Sequence, residues 1–287
     1  MLTRSIIQKY KQIWKTALGC FLIMPLLAVA SFFLKDYLTP LLEIMAVWPK
    51  EMLAFCGMTG FYSGNTGLLV FYLALIFTNM FAIAVCVNSA DMMNEDEEWG
   101  VTVFYVNQPY TKTQIFAARL AGYLVLSVLK WWIYIEAAAL SLQLLCRQLG
   151  VAAETELIYN MGVKGMPILL FACGLVVLYS MMPSRNMEYR DLVLVFSFLG
   201  YLFGNAYKIP EYLAYQLRTK QENAAAMEQL AEKLELFRSA YPFTVMNVLN
   251  TEKKPLPESA PAWYLLFGIF FVLLAWWLYY RKPLVEE

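Results

Sequence analysis

The chain has 287 residues, of which 60% are hydrophobic and 16% aromatic while 15% are charged, and the 22 basic residues are matched by 22 acidic ones. A soluble domain of this length does not carry so apolar a composition, so the chain is read as a resident of the bilayer, with no nucleic acid among its expected partners. There is no histidine anywhere, which removes the commonest metal ligand and general base, and no GxxxxGK[ST] stretch, so any nucleotide chemistry belongs to another chain.

The first element is the N-terminal segment 1–16. Ile6, Tyr10, Ile13 and Trp14 recur at helical spacing, and Arg4, Lys9, Lys11 and Lys15 fall elsewhere around the wheel. This pattern predicts an amphipathic helix along the inner leaflet, its lysines suited to anionic head groups and its tryptophan to the interface. Nothing in it reads as a cleavable signal, so the apolar run that follows is expected to be retained. Crossing roughly 30 Å of hydrocarbon takes about 17 to 25 apolar residues. The runs that fit are 17–34, 66–89, 120–146, 165–182, 192–207 and 263–280, the third interrupted by charges and the fifth short. The expected fold is therefore an all-α membrane protein with six transmembrane helices and both termini on one side. Ten basic residues flank the pieces on the side of the termini, against eleven spread through the longer opposite connections, so the termini are placed in the cytoplasm.

Between the first two runs, the stretch around Pro40 and Pro49 is apolar but too interrupted to cross, and is expected at the outer interface. Between the second and third, residues 94–110 carry Glu95, Asp96, Glu97 and Glu98 in succession, which an anionic leaflet repels. Asn94 with Glu97 resembles a capping arrangement for a short helix that Pro109 stops, and Thr111 with Gln114 forms a second capping box from which one helix continues into the third span. A solvated charged loop is the competing reading of 94–110. Within the spans, Asn79 lies in the second and Lys130 and Glu136 near the middle of the third, and an ionisable residue at that depth should face a cavity or a partner instead of lipid. Lys130 and Glu136 lie six residues apart, about 240° around a helix, so they do not share a face. The two uses open to them are bonding to a neighbouring helix and lining a translocation path. Connection 208–259 is expected to be external and helical, with Met227, Leu230, Leu234 and Phe237 on one stripe of its central part. The cysteines, Cys20, Cys56, Cys86, Cys146 and Cys173, read as small apolar residues, although Cys56 and Cys146 could meet on the outer side.

Glu97, Glu98 and Gly100, then Pro109 nine residues on, Lys112, Ile115 and Arg119, resemble the segment between the second and third spans of ABC-2-type permeases, the membrane subunits of ATP-binding-cassette exporters. Val101 stands where that family usually has threonine, and FYVNQ replaces its leucine-rich stretch. YPFT, residues 241–244, is similar to the S/T-P-F motif before the last span of many such proteins. The resemblance implies a single permease domain, 1–287, that pairs with a second permease copy or a homologue. It also implies a cytoplasmic ABC ATPase partner, which holds ATP and Mg, while this chain carries no cofactor and no catalytic residue. Glu97, Glu98, Gly100, Pro109 and Lys112 would then form the coupling element that docks on the ATPase, and Asn79, Lys130 and Glu136 the candidate path. The rival class is a non-transporting membrane scaffold or sensor-complex subunit whose acidic segment docks a cytoplasmic regulator.

Overall fold

The structure, a computed structural model, describes residues 2–37, 40, 66–93, 111–182, 188–220, 223–238 and 260–281. Among these, every regular element is helical: α1 Leu2–Leu34, α2 Thr66–Val87, a 3-10 turn Ala90–Met93, α3 Lys112–Leu149, α4 Thr155–Ser180, α5 Tyr189–Asn205, α6 Lys208–Thr219, α7 Ala225–Arg238 and α8 Ala260–Arg281. Three helical stretches are long and apolar enough to cross a membrane, Lys112–Leu149, Ile158–Ser180 and Ala262–Arg281, and shorter apolar stretches occupy Phe21–Leu34, Thr78–Val87 and Asp191–Gly200. The outer-interface segment expected around Pro49, the acidic stretch 94–110, Cys56 and the YPFT motif lie outside the described residues.

Local chemistry sets several boundaries. Thr111 sits in extended backbone ahead of α3; its Oγ1 accepts from the Gln114 N–H at 3.3 Å, and the Gln114 side chain accepts from the Thr111 N–H at 2.9 Å. This reciprocal box satisfies two amides that have no partner inside the helix, and α3 then runs unbroken for 38 residues, about 57 Å at 1.5 Å each. It ends where Gly150 turns to φ 68°, a left-handed conformation that a residue without Cβ adopts at little cost. The short connection 150–154 makes α3 and α4 antiparallel neighbours, and α4 begins at Thr155, ten residues before the apolar run that announced it. The N-terminal segment and the first apolar run are one continuous helix, α1, which includes Pro25. The fifth apolar run is helix α5, parted from α6 by a turn at 206–207.

The described core lies where α1, α2, α4 and α8 pack on α3, one face of which stays exposed, and α4 packs most closely on α8. The Trp131 indole lies against Gly165, where a Cβ would come within 2.7 Å of the ring, and its Nε1 donates to Gly162 O at 3.0 Å. α4 and α8 cross at Gly174 and Gly268, close enough that a Cβ on Gly174 would stand 2.5 Å from the Gly268 carbonyl oxygen. Small residues at such crossings let two backbones approach and gain dispersion contact, which drives helix association where lipid tails cancel the hydrophobic effect. The end of α8 lies beside the start of α3, with Phe116 and Tyr279 rings 5.4 Å apart and Lys112 Nζ donating to Tyr280 O at 3.3 Å. Thus α8 runs antiparallel to α3 and parallel to α4. α7 rests on α6 and α5, with Met227 and Leu234 half-buried and Leu230 exposed. An Arg218–Glu228 pair at 2.6 Å joins α6 to α7, and the carboxylate raises the guanidinium above its ordinary value.

Candidate functional site

Of the five residues read as a coupling element, Lys112 alone is among the described residues. It occupies the first position of α3, half-buried, its ammonium bonded to the Tyr280 carbonyl and 5.9 Å from the centre of that ring. Glu97, Glu98, Gly100 and Pro109 lie outside the described residues.

The polar residues at depth fall in two separate places. One face of α3 carries Arg119, Tyr123, Ser127, Lys130 and Tyr134, spaced four, four, three and four residues apart, a stripe about 80° wide at 100° per residue. That stripe faces α2 and the turn after it. Tyr134 donates to Asn79 Oδ1 at 2.6 Å, the Thr78 hydroxyl lies 3.1 Å from the same phenol, and Asn79 Nδ2 donates to Met161 Sδ of α4 at 3.1 Å. Asn79 is therefore buried and matched at both ends of its amide, as a polar side chain removed from water must be. Lower on the stripe, Ser127 donates to Cys86 O and Tyr123 to Val87 O, each at 3.1 Å, Arg119 donates to Met93 O at 2.9 Å, and Lys130 Nζ donates to Ser89 Oγ.

Lys130 is 1% exposed. Its ammonium lies beyond the C-terminal end of α2, where the helix macrodipole is negative and favours a cation. Ser89 is its one hydrogen-bond partner among the described residues. Of the two uses open to a lysine at this depth, bonding to a neighbouring helix is the one these contacts describe.

Glu136 lies on another face of α3. It is exposed and accepts from the Tyr159 hydroxyl of α4 at 3.1 Å. The angular separation expected from six residues thus holds: Asn79 and Lys130 belong to one continuous buried seam, and Glu136 does not. The seam partners Tyr123, Ser127, Tyr134 and Ser89 were not singled out in the sequence. The signal that could have found the three on α3 is the run of polar side chains at i, i+4, i+8, i+11 and i+15 inside an otherwise apolar helix. Cys146 is buried and its thiol is free. Among the described residues no group of three or more His, Cys, Asp or Glu side chains could hold a metal ion. Compared with family models, curated proteins and solved structures, the chain matches none of them.

Proposed function

We propose that this chain is the six-span permease subunit of an ABC exporter, moving a substrate outward when ATP binding closes a partner ATPase docked on segment 94–110. The observation that carries the reading is the junction at Thr111. The acidic segment and its Pro109 end where a capping box starts a single helix, α3, that runs on into a membrane-length apolar stretch, so a displacement applied at the junction enters a rigid rod.

Helix directions support the six-span arrangement. Because α4 and α8 run parallel, two crossings in the same sense require one return crossing between them. α5, 17 apolar-rich residues and about 25 Å long, is the described helix suited to it. α2 runs antiparallel to α3, as the pairs Asn79–Tyr134 and Val87–Tyr123 require, and α1 supplies the first crossing. In this reading the basic residues flanking the termini keep both of them in the cytoplasm of a cell-membrane protein. Glu97, Glu98, Gly100, Pro109 and Lys112 are the docking element in this reading. Glu136, on the outer face of α3, is a path-lining or partner-facing carboxylate, because a charge facing lipid at that depth costs at least a few kcal/mol. A second permease copy completes the pathway, and ATP and Mg reside on the ATPase.

Purification of the tagged full-length chain from its native membrane tests the proposal. An ATPase recovered in equal numbers is the expected result. A cytoplasmic protein without nucleotide-binding motifs in its place would overturn transport in favour of a scaffold. Cysteine labelling tests the orientation: a label at Asn223 should react from outside, and labels at Glu97 and Pro283 only from inside.

A further inference from the structure

Most of the exit of α2 is closed off from solvent. Cys86, Val87, Ser89, Ala90 and Met93 are all completely buried while Asn88 between them is exposed, so the carbonyls of the buried residues need partners from protein. α3 matches them from one stripe. Ser127 and Tyr123 bond the last-turn carbonyls of Cys86 and Val87, Lys130 bonds the Ser89 hydroxyl in the turn, and Arg119 bonds Met93 O at the end of the 3-10 turn. Two of the four donors are cationic, and such hydrogen bonds are roughly twice as strong as neutral ones. Arg119 lies eight residues past Thr111, about 12 Å along α3. Met93 and Thr111, the last and first described residues on either side of 94–110, are therefore both anchored to the same two turns of one helix.

We infer that Arg119, Tyr123, Ser127 and Lys130 form a clasp that fixes the exit of α2 to α3, making the α2–α3 hairpin a single lever whose arms cannot move independently. Lys130 is its central positioning residue: the buried ammonium holds the turn after α2 through Ser89. The inference rests on the permease reading for its purpose, since whatever displaces the chain between Met93 and Thr111 then displaces both helices together. The geometry can be tested without that reading.

The test is amide hydrogen exchange of the full-length protein in lipid nanodiscs. Lys130→Met should speed exchange in the peptide covering residues 86–93 by roughly tenfold, the expected effect of losing one buried, charge-assisted hydrogen bond. Peptides from α4 and α8 should keep their wild-type rates. A lysine that only stabilised the fold would accelerate exchange in all the helices alike, and that outcome would overturn the clasp, as would unchanged exchange at 86–93. Should Lys130→Met fail to fold, Tyr123→Phe and Ser127→Ala delete single hydroxyls with little change of volume and should each loosen the same peptide. Local loosening in these variants, with an ATPase still bound but no longer stimulated by substrate, supports the lever as the transmission element. Local loosening in a protein that binds no ATPase sustains the clasp and removes the permease reading.

Discussion

Replacing Gly174 by alanine places one methyl group where α4 crosses α8 backbone to backbone. Its Cβ would stand 2.5 Å from the Gly268 carbonyl oxygen and 3.1 Å from that residue's carbon and Cα, whereas ordinary contact begins at 3.4 Å. The obstacle is backbone and cannot rotate aside, so α4 and α8 must part by about 0.9 Å. A gap of that size forfeits about a quarter to a half of each affected dispersion contact, and overpacking of this kind costs about 1–3 kcal/mol. The alanine returns up to about 1 kcal/mol through helix propensity. The net expectation is a loss of about 2 kcal/mol, because an immovable carbonyl places the clash at the upper end. Gly268→Ala meets Leu170 O and Phe171 Cα at 3.2 Å and should be milder, and Gly122→Ala, with nothing within 4 Å, should stabilise. Thermal unfolding followed by tryptophan fluorescence in one detergent should rank the proteins Gly122→Ala, wild type, Gly268→Ala, Gly174→Ala from most to least stable. A Gly174→Ala protein as stable as Gly122→Ala would refute the close crossing and, with it, the placement of α8 on α4.

Tyr134→Phe leaves the Asn79 carbonyl oxygen buried without its phenol and should cost about 1–3 kcal/mol in a denaturant titration, with Thr78 unable to replace the lost donor if stability falls that far. Thr111→Ala removes the capping oxygen of α3 and should destabilise that end by about 1 kcal/mol, visible as faster amide exchange confined to the first turn; wild-type protection there would show the box contributes nothing. Charge reversal at Glu97 and Glu98 should leave membrane insertion normal while the ATPase is lost on purification, a change of about 2–5 kcal/mol if the contact is desolvated and much less at an exposed rim. Wild-type binding and transport in that variant would return 94–110 to a solvated loop.

The sequence by itself determined whatever depends on neighbours along the chain. Composition and uncharged runs located the apolar helices, because transfer into lipid depends on which residues lie within one membrane thickness. The capping box at Thr111 was legible because both its hydrogen bonds close within three residues. The separation of Lys130 from Glu136 followed from helical angle alone. Tertiary structure decided the partners. α2 and α8 are apolar all round, so no polar face in their own sequences says which side meets protein. Only the register of α3 against α2 could bring Lys130 to Ser89 and Tyr134 to Asn79. The same register leaves Glu136 exposed with Tyr159, although Lys130 and Glu136 looked equally buried as letters in one span. The crossing at Gly174 and Gly268 joins residues 94 positions apart, a distance over which no local pattern carries information. Helix-to-helix register arises from how knobs and gaps on separate helices fit together, and that fit exists only once the helices have met.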